Sequence, residues 1–201
     1  METMEKGVRN MPGVYINERS IMLSDEVTEE TVGMIMNAII KINQDDALKE
    51  EVYNDYVREP IQIYINTFGG SMYDSMGLMD VMFTSETPIH TFALGKCMSA
   101  GFTIFLAGSQ RYCMKNTTFM YHNLAHTVTG RYGQLIDGIE EDMRMEELMD
   151  NWVISRCKIT KKMIADCIKE KTDLYIDSNT AKKLGIVDVI IGERAYKGMI
   201  S

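Results

Sequence analysis

Proline is scarce: three in 201 residues, too few to punctuate a chain of several domains. No Gly/Pro/Ser-rich linker, internal repeat or low-complexity tract interrupts the sequence, so one domain over 1–201 is the simplest division. Long apolar runs are missing too. None approaches the ~20 residues that span a bilayer, and the opening METMEKGVRNMPG has no apolar block to serve as a secretory signal. These absences predict a cytoplasmic protein without a membrane partner. Positive charge is in deficit, with 21 Lys and Arg against 29 Asp and Glu for a net charge of −8. That argues against a nucleic-acid partner, because phosphate binding needs clustered cations. The four cysteines (Cys97, Cys113, Cys157, Cys167) include no CxxC pair, and there are only three histidines. No metal site is expected, and the thiols read as reduced and mostly buried.

What is present is a hydrophobic content of 45%, enough for a real core in a chain of this length. Eighteen methionines supply flexible filler for an irregular core, and some are expected at subunit contacts. Residues 28–42 read as a helix: Thr28 is an N-cap, Glu29 and Glu30 suit the positive end of the dipole, and Val32, Ile35, Met36 and Ile39 recur at helical spacing. The charged stretch 45–59 is a surface helix or a long loop. IQIYI (61–65) is a strand ending in NTFGGS, where paired glycines allow a sharp turn and close approach to a ligand. A helix follows over 71–84 with Met72, Met76, Met79 and Phe83 on one face. PIHTFAL (88–94) is the next strand, ending at Gly95, and Ser99–Ala107 the next helix. Strands fit QRYCM and TTFMYH. A long helix covers 133–157 and a shorter one about 160–170, and TAKKLGIVDVII reads as a helical turn capped near Gly185, then a strand. Strands alternating with helices predict an α/β domain with buried, largely parallel strands.

Ser99 falls at a helix start just after a strand, where backbone N–H groups lack partners. The FGGS turn ends the preceding strand, so in a parallel sheet both turns open on one edge. The N–H groups of Gly70 and Ala100 could then hold a developing oxyanion. A hydroxyl also needs a base, and the base an orienting acid. His122, at the end of TTFMYH, is the leading base, with His126 and His90 as other histidines. Asp173, read as lying just before a helix, or Asp177, read as the N-cap of SNTAKKLG, could orient it. Each of these has a plainer reading as a cap or a polar residue in the core. The spacing alone leaves a serine hydrolase as one reading among several.

The order of these segments resembles the ClpP family of serine peptidases from ERSIML (18–23) to LGIVDVI (184–190). IYINTFGGS is similar to the family's strand and Pro-Gly-Gly-Ser turn, and GKCMSAGF to its Gly-x-Ala-Ala-Ser-Met-Gly. FMYHN resembles its Met-Ile-His-Gln, TGRYGQLID its Gly-x-x-Gly-Gln at the start of a long helix, and TDLYIDSNTAKKLGIVD its Asp-x-Phe-Met-Ser-Ala ending. The 30-residue step from Gly69 to Ser99 matches the family's spacing. The resemblance implies an α/β crotonase-like spiral of strand–strand–helix units with a protruding handle helix, in a handle region of about 125–157, and a groove-lining strand over 125–134. It implies Ser99 as nucleophile, His122 as general base, Asp173 as the acid that fixes its tautomer, and Gly70 and Ala100 as the oxyanion donors. No cofactor or metal is implied. Peptides or unfolded proteins would be cut inside homo-oligomeric heptameric rings, stacked in pairs as a tetradecamer.

The departures are local. Phe68 replaces the family's Pro, Cys97 and Met98 stand where two alanines are usual, Ala100 where Met is usual, and Leu124 where Pro is usual. Lys171 and Thr172 replace an Asp-Arg pair that links rings to active-site order. Only 17 residues precede ERSIML, and 44–59 is about ten residues longer than the family's loop by eye. An altered or absent AAA+ unfoldase partnership is therefore expected. Three rival readings remain: an inactive ring subunit, a crotonase-type acyl-CoA enzyme, and a Ser–Lys dyad through Lys96.

Overall fold

The computed structural model describes residues 9–11, 13–124, 129–170 and 172–192. Its centre is a run of parallel strands, each delivering its C-terminal end to the same rim. The chain opens with three short strands, β1 (Arg9–Met11), β2 (Val14–Asn17) and β3 (Ser20–Leu23), paired antiparallel as a meander. Helix α1 (Glu29–Val52) leads to β4 (Ile61–Thr67), α2 (Met72–Thr84), β5 (Ile89–Met98) and α3 (Ala100–Leu106). Then come β6 (Gln110–Met114), β7 (Thr118–Tyr121), α4 (Tyr132–Arg156), α5 (Lys161–Glu170), β8 (Leu174–Asp177), α6 (Ser178–Lys183) and β9 (Val189–Ile191). Strands β3, β4, β5, β6 and β9 run parallel in that order, and β7 pairs β5 in parallel and β8 antiparallel. This is the expected α/β strand–strand–helix arrangement. Among the described residues no helix is long and apolar enough to cross a membrane.

Alternation along β4 puts Ile61, Ile63, Ile65 and Thr67 under the helices. On the opposite face Tyr64, Phe92 and Tyr112 stack across three strands, with ring centroids 4.7 and 4.6 Å apart. Helix α3 is buried on every side, the signature of a helix at the centre of a core. Truncating Phe102 or Phe105 there would cost roughly 3–5 kcal/mol.

Thr28 caps α1 as expected, in a reciprocal capping box with Thr31. The helix runs ten residues beyond the expected 42, to Val52, because Asp46 in the charged stretch is a core residue. It is fully buried and takes hydrogen bonds from Arg19, Tyr56 (2.6 Å) and Thr87 (2.7 Å). Burial drives its carboxyl upward, but those three donors outweigh it and hold the group at about 2. The buried face of α2 is Ser75, Leu78, Met79 and Met82, with Met72 and Met76 partly buried against the core beside it, so of the expected stripe Phe83 alone turns outward. A buried serine shifts the face, and Phe83 instead meets Trp152 edge-on with centroids 5.1 Å apart. Asp173 precedes a strand, β8, rather than a helix, because β8 runs into α6 without a connecting residue.

The remaining correction shapes the site. Strand β5 does not stop at Gly95. It bends there, at a positive φ of 62° that glycine adopts without strain, and changes neighbours. His90–Ala93 pair with β6, whereas Lys96–Met98 pair with β7. Of the strand expected over 125–134, residues 125–128 lie outside the described residues, and 129–134 form no strand, because α4 already begins at Tyr132.

Candidate active site

Strand β5 ends at Met98 and α3 begins at Ala100, leaving Ser99 as the whole connection. One residue must reverse the chain, and Ser99 does so at φ 51°, ψ −123°. For a non-glycine residue such a conformation costs on the order of 1–3 kcal/mol and persists only where its surroundings fix it. Here they do. The Ser99 N–H donates to the Met120 carbonyl of β7 at 2.8 Å, and the Ser99 carbonyl accepts from the N–H groups of Phe102 (2.9 Å) and Thr103 (3.2 Å). The hydroxyl does not cap the helix. Its Oγ lies 2.8 Å from His122 Nε2.

His122 follows the last residue of β7, which delivers it to the same rim. The antiparallel register with β8 pairs Tyr121 with Leu174. Extended by one step, that register sets Asp173 across from His122. Among the described residues no hydrogen bond joins the two side chains. The structure thus brings Ser99 and His122 into contact, whereas Asp173, one register step beyond β8, is exposed and does not line their cleft.

The FGGS turn closes against Ser99. A Cβ on Gly69 would lie 2.7 Å from Ser99 Cβ and 2.9 Å from the Met98 carbonyl oxygen, at a φ of +113°; no other residue fits. Gly70 is bridged to Val27 through neighbouring groups: Val27 N–H donates to Gly69 O (2.8 Å) and Ser71 N–H to Val27 O (2.7 Å). The N–H groups of Gly70 and Ala100 donate to no other described residue. Gly69, the residue in contact with Ser99, was not singled out from sequence, although the doubled glycine was the available signal.

The other candidates lie elsewhere or have other partners. His90 sits within β5 beside Tyr112, with ring centroids 5.9 Å apart, and burial lowers its pKa. Asp177 caps α6, accepting from the N–H groups of Asn179 (2.8 Å) and Thr180 (3.1 Å). Its carboxyl is lowered by the Thr180 hydroxyl first and by these amides. Lys96 lines the cleft with its ammonium 4.3 Å from the centre of the Phe68 ring. His126 and Lys171 lie outside the described residues.

Ser99, His122 and Gly70 open into a cleft of about 1040 Å³. One wall is the Ser24–Glu26 loop; another is α4, which contributes Gly138, Glu141, Asp142 and Met145. Two tyrosines attach α4 to the site. Tyr73, three residues past Gly70, donates to Glu141 at 2.7 Å, and Tyr121, immediately before His122, donates to Asp150 at 2.6 Å. Arg144 and then Tyr73 hold the Glu141 carboxyl at about 2. Neither tyrosine contact was foreseen from sequence, where the partners are far apart and carry no motif.

Comparison with known proteins gives a consistent result. A family model described as Clp protease matches residues 5–194. The chain is similar to the ATP-dependent Clp protease proteolytic subunit 1 of Rhodopirellula baltica, 24% identical over 181 residues, covering 88% of this chain and 79% of that protein. It is similar to the subunit of the same description from Prochlorococcus marinus, 27% identical over 186 residues, covering 90% and 88%. It also resembles the chloroplastic proteolytic subunit 3 of Arabidopsis thaliana, 26% identical over 184 residues, covering 90% of this chain and 55% of that one.

Proposed function

Because this chain belongs to the Clp protease family, we propose that it is a serine endopeptidase subunit that cleaves peptides or unfolded proteins through an acyl-enzyme on Ser99. The observation that carries this reading is the 2.8 Å contact between Ser99 Oγ and His122 Nε2, made by a serine that leaves its helix uncapped. With its proton on Nδ1, the imidazole presents a lone pair at Nε2 and takes the Ser99 proton as Oγ attacks the scissile carbonyl. The N–H groups of Gly70 and Ala100 receive the oxyanion. The imidazolium then gives its proton to the leaving amine, and water, deprotonated by the same nitrogen, releases the acyl group. Asp173 accepts a hydrogen bond from Nδ1–H, and so fixes the tautomer, once its carboxylate turns toward the ring.

Enclosure is part of the reading. The first half of α4 projects Tyr132, Ile136, Ile139 and Met143 into solvent, an apolar surface suited to contact between copies of the chain. Heptameric rings, stacked in pairs, are the proposed assembly, with the cleft facing an inner chamber.

A fluorophosphonate probe tests the central claim. It should label Ser99 in the folded, assembled protein, and Ser99→Ala should abolish both labelling and peptide cleavage. An unlabelled Ser99 in folded, assembled protein would sink it. The second reading is an inactive ring subunit, favoured by one observation, the lack of a hydrogen bond between His122 and Asp173. It predicts neither labelling nor turnover in the isolated chain and co-purification with an active relative.

A further inference from the structure

We propose that Tyr121 and Asp150 form a positioning pair that sets the imidazole of His122 against Ser99; this rests on the reading of His122 as the base. Alternation along β7 sends Phe119 and Tyr121 into the core and His122 toward the cleft. The Tyr121 ring lies against Phe102 of α3, with centroids 5.9 Å apart, and only 6% of the residue is exposed. Its hydroxyl emerges from that core at one partner, the Asp150 carboxylate of α4, at 2.6 Å. Burial, and then the carboxylate itself, push the phenol's pKa up, so it remains a donor at every working pH.

The position of this contact gives it its role. Tyr121 is the last residue of β7 paired to β8, and the residues from His122 to Leu124 belong to no strand or helix. The side chain of Tyr121 is thus the final fixed point before the histidine. On one side the β7 backbone is tied to Ser99 through Met120, and on the other Tyr121 is tied to α4. The imidazole hangs one residue beyond both ties. A phenol–carboxylate bond in a partly buried setting is among the stronger hydrogen bonds a fold can place there. A displacement of about 1 Å at a reacting group can cost ~100-fold in rate.

Four variants and two readouts test the pair. Tyr121→Phe and Asp150→Ala should each lower kcat for a peptide roughly tenfold with KM within about twofold, a partial misplacement on that scale. The double variant should be no worse than either single one, since both remove the same bond. Asp150→Asn should restore kcat, because the amide oxygen still accepts from the phenol. The second readout needs no turnover. With 13C at the histidine Cε1 positions there are three resonances, one per histidine, and that of His122 is assigned with His122→Gln. It should move in Tyr121→Phe and in Asp150→Ala and return in Asp150→Asn. An unmoved His122 resonance overturns the pair whatever kcat does, as does Asp150→Asn behaving like Asp150→Ala. If the parent neither cleaves peptide nor labels at Ser99, the peptidase reading fails, while the resonance still decides whether Tyr121 and Asp150 hold the imidazole.

Discussion

Asp173 stands across from His122 at the frayed end of the β7–β8 ladder, one step past the last pair, Tyr121 and Leu174. That register sets the Asp173 backbone opposite the His122 backbone, while the Asp173 side chain is exposed and makes no hydrogen bond to the imidazole. Asp173→Asn should therefore leave folding intact and lower kcat by about 1,000- to 10,000-fold, the scale seen when an orienting carboxylate is replaced by an amide. Asp177→Asn, at the cap of α6, should instead cost about 1 kcal/mol of stability and leave kcat within a few-fold. Peptide cleavage and thermal melts on the two variants check the assignment. Equal losses of kcat would contradict it.

The base can be separated from its neighbour in the cleft. Lys96 lies over the Phe68 ring while Ser99 Oγ meets His122. His122→Gln should reduce fluorophosphonate labelling at least 1,000-fold, as loss of a general base does. Lys96→Met should keep labelling within about tenfold of the parent. Loss of labelling with Lys96→Met alone would replace the histidine mechanism with a Ser–Lys dyad.

Gly69 offers a steric test of the same site. Its φ of +113° and the 2.7 Å separation of a built Cβ from Ser99 Cβ mean that Gly69→Ala must move the serine turn, adding strain of about 1–3 kcal/mol. The expected variant is folded, melts a few degrees lower and loses more than 100-fold in activity. Circular dichroism and labelling on one preparation measure both effects. Parent-like activity would mean that the FGGS turn does not set the position of Ser99.

How much of this was legible beforehand depends on whether the signal was local. The strand–Ser99–helix junction could be read because one residue type sits between a β-branched run and an apolar helix. His122 could be read because a short strand ends at the residue before it. Asp173 was found as a candidate but placed before a helix, since four residues of strand that flow directly into α6 leave no turn residue to mark the join. Asp46 looked like part of a solvated charge run because its partners Arg19 and Thr87 are 27 and 41 residues away. Strands β1 to β3 were missed for a similar reason: three or four residues each, held by pairing with one another and with β4, carry little periodicity. The bond between Tyr121 and Asp150 joins a strand end to the far half of a helix, and no spacing rule anticipates it.

Asp46 provides a prediction about acid stability. Its carboxyl is held at about 2 in the folded chain against ~3.9 when unfolded. A depressed folded-state value contributes stability that is fully present above the unfolded value and is lost as pH falls through the folded one. The difference is worth about 2–3 kcal/mol, so the melting temperature should drop between pH 4 and pH 2. In Asp46→Asn that component of the drop should be missing. At pH 7 Asp46→Ala should cost about 3–5 kcal/mol, because Arg19 is left with a broken, partly buried ion pair. A pH profile of Asp46→Asn that parallels the parent would show that the carboxylate is not the group titrating.

The exposed apolar residues of α4 make assembly testable by mass. Buried residues on this helix, Met145, Met149 and Val153, all lie in its second half. Ile139 and Met143 of the first half are 54% and 66% exposed. An isolated chain has no reason to hold an apolar ridge in water, whereas a second copy lying alongside would cover it. The native particle should therefore weigh a multiple of 22.9 kDa, and seven or fourteen copies correspond to one ring or two. Ile139→Glu combined with Met143→Glu places charge in the contact, where each unpaired buried carboxylate is strongly unfavourable. That variant should shift the particle to a smaller mass and lose peptide cleavage, while its circular dichroism stays that of the parent. If native mass spectrometry finds the same assembly in both, α4 is not the surface by which copies meet, and the ridge must be covered by something else.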